Sequence, residues 1–341
     1  MDIELMKKLS LTFGPSGNEA EIRSLIKKLM KPYVDEIFVD KYGNLVCHKK
    51  GTGPKLLLAA HLEEIGLMIK GIDPSGDIRC SPIGGIEPVN VIGERVTLMT
   101  NKGEIRGVVT TSHISNNEVL TEAPAMKDVH IDTGLTKQEL EKRGVEAGQY
   151  LNLERYFVTL GSSQYICGKA MDDRVGCYIL VELARRLRKV KQEIYYVFTV
   201  QEEVGLYGAK TSIYGIDPDY AIVVDVTNAD DKQPNPTKSL GNGPCLTIKD
   251  ADMLSNRCVD DWIKAAAKRK KIPLQLDVSD EGTTDALTIS ISKGGIPSTV
   301  LGVALRNLHT TISIAHTQDI EHCIQLLEEV LKNTHLYCKE V

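Results

Sequence analysis

Aromatic side chains are scarce in this chain of 341 residues: one Trp, four Phe and twelve Tyr, 5% in all. So few rings leave little surface for stacking sugars. Basic runs interleaved with aromatics are also missing, and with them the usual signature of a nucleic-acid surface. No stretch approaches the ~20 consecutive apolar residues of a membrane span. The opening segment, Met1–Lys8, reads as the start of an amphipathic helix and has no long apolar centre of the secretory kind. Eight cysteines, at 47, 80, 167, 177, 245, 258, 323 and 338, form no CxxC pair. They are expected to be reduced and mostly buried, in a cytoplasmic protein. The net charge of −5 is mild. Neither nucleic acid nor membrane is an expected partner.

A hydrophobic fraction of 42% supports a real core, and the length allows two domains on a prior of roughly 150 residues each. A first helix is expected to end near the Gly14-Pro15-Ser16-Gly17 turn, with Asn18 capping a second from Glu19 to Met30. Apolar strands follow to about Ile72. The texture then changes. From Pro74 to about Gly161 short alternating runs rich in Gly, Val and Thr read as a small β-barrel or sandwich. A capping-box spacing, Thr136 with Glu139, marks one helical insert. Strands alternate with helices again from Tyr165. The expected organisation is an α/β domain of residues 1–73 and 162–341, interrupted by a β-rich domain of residues 74–161.

Five metal-compatible positions lie just past apolar strands or at a helix start. His61 follows Lys55-Leu56-Leu57-Leu58-Ala59-Ala60, and Asp172 opens Asp172-Asp173-Arg174-Val175-Gly176. Glu202-Glu203 follow an apolar strand through Val200, Asp225 follows Tyr220-Ala221-Ile222-Val223-Val224, and His309 comes shortly after Ser298-Thr299-Val300-Leu301-Gly302. In open α/β sheets, ligands collect outside the carboxyl ends of strands. Two imidazoles with carboxylates suit zinc, cobalt or manganese better than magnesium or calcium. Adjacent glutamates at a strand end can diverge, so one can bind metal while the other takes a proton. Each residue alone has an ordinary reading: solvated loop pair, helix N-cap, satisfied structural histidine. Asp225 is less ordinary, because a buried carboxylate needs a partner. Their coincidence makes the case.

The order of motifs is distinctive: Ala60-His61-Leu62-Glu63-Glu64-Ile65-Gly66, Lys169-Ala170-Met171-Asp172-Asp173-Arg174, Gln201-Glu202-Glu203-Val204-Gly205, Val224-Asp225-Val226-Thr227, Gly282-Thr283-Thr284-Asp285-Ala286 and Arg306-Asn307-Leu308-His309. In this order they resemble the tetrahedral (TET), or glutamyl, aminopeptidases, whose members also carry the names cellulase or endoglucanase M. The resemblance runs from Phe13 through Leu326. It implies a mixed-sheet α/β metallopeptidase domain with an inserted small β-barrel. It further implies two divalent ions, zinc or cobalt before manganese. Asp172 would bridge them, His61 and Asp225 would complete one, and Glu203 and His309 the other. Glu202 would be the general base in releasing N-terminal residues from short peptides. Asp285 would shape the wall near the substrate amine. Members assemble as dodecamers built from dimers, so a homo-oligomer is expected. The chain departs from the family in one place: the usual His-x-Asp is His61-Leu62-Glu63, so the group that orients the first imidazole carries an extra methylene. Two other classes compete, an endoglucanase-type glycoside hydrolase and a metal-stabilised peptide-binding protein without turnover.

Overall fold

A computed structural model describes residues 1–115, 119, 122–154, 156–187 and 189–332. An eight-stranded mixed sheet forms its centre. In order across the sheet the strands are Glu36–Val39, Leu45–Lys49, Glu193–Thr199, Lys55–His61, Tyr220–Asn228, Ser298–Leu305, Cys245–Lys249 and Gln275–Val278. The four middle strands, from Glu193–Thr199 to Ser298–Leu305, run parallel, so their carboxyl ends open on one edge. Antiparallel pairings flank them on both sides.

Strand Lys55–His61 shows how the sequence builds the layers. Side chains alternate across a sheet with period two. Leu56, Leu58 and Ala60 enter the core on one face, with the helices Ile3–Leu11, Ala20–Met30, Met171–Arg186, Arg257–Lys270 and Thr317–Lys332. Leu57 and Ala59 enter the other, with Tyr207–Ser212 and Asp285–Ser290. A strand buried on both faces must be apolar throughout, and this one is until it reaches His61. Helix Met171–Arg186 is buried over most of its surface and packs against both terminal helices and the sheet. Full burial of each large aliphatic side chain contributes about 1.5–3 kcal/mol.

The second unit is a closed antiparallel barrel of six strands, from Gly66–Ile72 to Tyr150–Leu153, with its own core around Leu67, Ile78, Val109, Ile131 and Leu151. Its first strand precedes the texture change at Pro74, because Gly66–Ile72 is as apolar as the sheet strands before it. The chain returns through a three-stranded sheet of Phe157–Thr159, Tyr165–Gly168 and Ser313–His316.

Thr136 and Glu139 form their capping box over helix Lys137–Lys142. Asn18 does not cap the second helix: Glu19 holds the N-cap position, and no side chain caps it. Six cysteines are free and buried, while Cys258 is disulfide-bonded, which corrects the expectation of uniformly reduced thiols. Cys338 lies outside the described residues. Among the described residues no helix is long and apolar enough to cross a membrane.

A buried cation ties the N-terminal helix to the sheet edge. Arg174 is fully buried. It donates to the carbonyls of Leu62 (2.6 Å), Leu9 (2.5 Å) and Thr12 (2.8 Å), and its Nη2 lies 3.8 Å from Glu64 Oε1. Lys169 Nζ takes the other Glu64 oxygen at 2.6 Å. Glu64 would keep Lys169, but three backbone carbonyls would lose a charged donor, and a hydrogen bond of that kind is worth about 1.5–3 kcal/mol. Arg174→Met is therefore expected to lose that much stability in urea unfolding. A loss below about 1 kcal/mol would show that these bonds are replaced by water or neighbours.

Candidate metal centre

His61 is the last residue of its strand, and its side chain is 2% exposed. Its Nε2 lies 2.9 Å from Asp172 Oδ1. Asp172 reaches this point because the start of its helix departs from helical geometry at Asp172 and Asp173. The second Asp172 oxygen, Oδ2, lies 3.3 Å from His309 Nε2, and the same nitrogen is 3.5 Å from Glu203 Oε1. One carboxylate thus faces two imidazoles with one oxygen for each. Glu202 and Glu203 follow strand Glu193–Thr199 after a turn at Gln201, whose φ of 59° is left-handed. Asp225 does not end its strand, which continues to Asn228, and its Oδ1 accepts from the Val226 amide at 2.7 Å.

Two groups have their potential ligand atoms within 4.8 Å of one another: His61, Asp172 and Glu203, and His61, Asp173 and Asp225. Asp173 is absent from the sequence-based ligand set. It is wholly buried, with Oδ1 accepting from the Gly176 amide at 2.9 Å and Oδ2 unpartnered. Its only signal in the sequence is adjacency to Asp172, and an acid followed directly by Arg174 reads first as a local ion pair. The described bonds of Arg174 go instead to backbone carbonyls and Glu64.

The carboxyls respond to this crowding. Burial pushes Asp225 up to about 8, Asp285 to about 6 and Glu63 to about 7. It also drives Glu202 and Asp173 well above the usual range. Asp172 goes the other way: burial opposes ionisation, but hydrogen bonds with His309 and His61 hold its carboxyl down. The bond to Asp172 lifts His309 to about 9. His61 is raised as well, its burial outweighed by Asp172 and the acids around it. One cause runs through the set, which is negative charge packed out of water with little positive charge to meet it. His61 Nδ1, Glu203 Oε1 and Asp173 Oδ2 are buried without hydrogen-bond partners. Such a donor set fits divalent cations.

Glu63 is fully buried, and its longer side chain is put to use. Oε1 accepts from the backbone amides of Glu202 and Glu203, the latter at 3.2 Å. Oε2 points toward His61 Nδ1 but stops at 3.8 Å. Asp285 is 1% exposed and accepts from Thr199 Oγ1 at 2.6 Å, while its Oδ1 is buried without a partner. The barrel also reaches the centre. A Cβ on Gly85 would stand 2.7 Å from His309 Nδ1, and one on Gly84 would stand 2.9 Å from Glu203 Oε2.

The model of the M42 glutamyl aminopeptidase family matches residues 43–326. A putative aminopeptidase of Acetivibrio thermocellus is 37% identical, over 96% of this chain and 98% of that protein. The structure of aminopeptidase APDkam598 from Desulfurococcus kamchatkensis is 36% identical and superimposes with a TM-score of 0.91, covering 97% of this chain and 94% of that one. The TET1 peptidase of Pyrococcus horikoshii, described as able to assemble into a tetrahedron or a large octahedral shell, is 30% identical with a TM-score of 0.86, covering 96% and 98%. Fold and site define a mixed α/β hydrolase with an inserted barrel. The chain belongs to the M42 glutamyl aminopeptidase family of peptidases.

Glu63→Asp separates the two contacts of Glu63. The shorter side chain cannot span His61 and both amides. Orienting partners of this kind are worth about 10–100-fold. Turnover of an aminoacyl anilide is expected to fall at least tenfold, with bound ions, counted by mass spectrometry, unchanged. Undiminished turnover would show that Glu63 does not hold the Glu202–Glu203 backbone.

Proposed function

We propose that this chain is a metal-dependent aminopeptidase that releases N-terminal residues from short peptides. The observation that carries this reading is the Asp172 carboxylate shared between His61 and His309, with Glu203 beside it. His61, Asp172 and Asp225 would hold one divalent ion, and Asp172, Glu203 and His309 the other. Zinc or cobalt suits this mixed nitrogen and oxygen set, with manganese next. Bound there, the ions supply Lewis acidity toward the scissile carbonyl and make water a stronger acid.

The remaining chemistry belongs to Glu202. Its neighbour Glu203 faces His309, and the Glu63 bonds to both backbone amides fix where the two side chains start. Glu202 is left free to take a proton from the attacking water and to return it to the departing amine. Burial raises its proton affinity, which suits a group that must hold a proton between the two steps. A glycoside hydrolase would leave the two imidazoles on Asp172 without a task. Its paired carboxyls would also need a separation of roughly 5–9 Å across a sugar bond. A binding protein without turnover would have no use for an acid held beside the ligand set.

We further infer a homo-oligomer, a dodecamer built from dimers, with short or unfolded peptides as substrates. Support comes from the likeness to a TET peptidase over nearly the whole chain. Six buried free thiols accord with a cytoplasmic location.

Two measurements test the reading. Glu202→Gln keeps the shape and removes the proton acceptor. Turnover is expected to fall by about 10²–10⁴ with both ions retained. Loss of an ion from this variant would place Glu202 among the ligands and overturn the division of labour within the pair. Light scattering at micromolar concentration with divalent metal present should give a mass many times the 37.6 kDa of one chain. A monomer mass under those conditions would end the compartment reading and leave the chemistry standing.

A further inference from the structure

The inserted barrel reaches the candidate centre through a glycine turn. Strand Ile78–Ile83 ends, and the chain turns through Gly84 and Gly85 before Ile86 re-enters the barrel core. Gly84 has φ +79°, a left-handed conformation that favours glycine, and the Ile86 amide closes the turn on the Gly84 carbonyl at 2.9 Å. Its backbone passes the Glu203 carboxylate so closely that a Cβ would lie 2.9 Å from Oε2 and 3.2 Å from Glu203 Cβ. At Gly85 a Cβ would lie 2.7 Å from His309 Nδ1 and 3.0 Å from Cε1. Real Cβ atoms essentially never approach so near, so a side chain here forces the imidazole or the turn itself to shift.

His309 needs such a neighbour. It sits on a loop beyond the sheet, its side chain 37% exposed, with φ of 56° at His309 and 58° at Asn307. The strand ends that hold His61 and Glu203 do not extend to it. Its ring is fixed on one side by the acids at Nε2 and on the other by the Gly85 backbone. A second brace joins the same two parts of the chain: Thr311 Oγ1 donates to Glu94 Oε1 of the barrel at 2.7 Å.

We propose that the Gly84–Gly85 turn of the inserted barrel is a built part of the metal centre, a positioning element that fixes His309 and Glu203 as ligands of one ion. The inference rests on the ligand assignment given above. It predicts that a methyl group at residue 85 weakens one ion and spares the other. The control is Gly71, in the same barrel, where a Cβ would meet nothing within 4 Å.

The test is a titration of each purified full-length protein with zinc, with bound ions counted by mass spectrometry and the cobalt-loaded form followed by its visible absorption. The parent should bind two ions. Gly85→Ala should keep its circular dichroism and its tighter ion and lose at least about tenfold in affinity for the other, with a changed cobalt spectrum. Gly71→Ala should match the parent. His309→Ala removes the ring that the methyl would strike, so in that background Gly85→Ala should fold and have no further effect on binding. This holds even if the single Gly85→Ala variant does not fold. Two ions bound by Gly85→Ala with unchanged affinity would overturn the proposal alone. An undiminished Gly85→Ala penalty in the His309→Ala background would also overturn it. A parent that binds no divalent ion would overturn the ligand assignment itself, and the positioning role with it.

Discussion

Asp172 offers one carboxylate oxygen to His61 at 2.9 Å and the other to His309 at 3.3 Å, with Asp173, Glu202, Glu203 and Asp225 gathered around it. That arrangement constrains everything near it. Carboxylates removed from water resist ionisation unless positive charge meets them, and two imidazoles are too few for this number of acids. The upward shifts of Asp225, Glu202 and Asp173 express the deficit, and the downward shift of Asp172 shows which acid the two imidazoles meet. A fold that keeps such a cluster must oppose its repulsion with rigid surroundings or with cations, and this chain supplies the surroundings.

Rigidity comes from parallel strands that end together. His61, Glu202 and Glu203 follow adjacent strands, and Asp225 lies within the strand on the other side of Lys55–His61. A second buried network stands next to the first and carries the opposite sign. Glu64 follows Glu63 directly but turns to Lys169 and Arg174, while Glu63 turns to His61 and the Glu202–Glu203 amides. The two consecutive acids therefore split between a cationic cluster that anchors the N-terminal helix and the anionic cluster around Asp172. Because Arg174 is two residues from Asp172, and its Nε bonds the carbonyl of Leu62, the same guanidinium holds both the His61 and the Asp172 segments.

Much of this is legible in the sequence, for a local reason. An apolar strand that stops on His61, or one followed by Glu202-Glu203, shows its site because burial and chemistry change at a single residue. Asp225 is legible as a buried acid, but its strand is not. Three further residues stay in the sheet, paired alongside Ser298–Leu305, where Asp225 lies opposite Gly302. Glu63 is legible as a departure, yet its double bond to the Glu202 and Glu203 amides depends on a turn at Gln201 far along the chain. Asp173 is hidden by its neighbours, since an acid followed by Arg174 suggests a local pair. The glycine pair at 84 and 85 is hidden most fully. In sequence it is a turn signal, and its close approach to His309 exists only after the barrel has folded against the sheet edge.

The placement of the barrel gives that approach a structural logic. The chain enters the barrel at Gly66, five residues after His61. Residues 62–65 span at most about 14 Å when fully extended. The isolated bridge between Pro15 and Glu64 holds part of that tether against the N-terminal segment. The chain leaves through Phe157–Thr159 and Tyr165–Gly168, and the latter leads within four residues to Asp172. The insert is thus tied at its entrance to one imidazole and at its exit to the shared carboxylate. The strand paired with the exit, Ser313–His316, begins four residues after His309. With a short entrance and an exit held by sheet pairing to Ser313–His316, the barrel has little freedom to move without moving His61, Asp172 or His309. A turn that packs its bare backbone on His309 and Glu203 completes that coupling. Of the assigned ligand set, only Asp225 depends on the sheet alone.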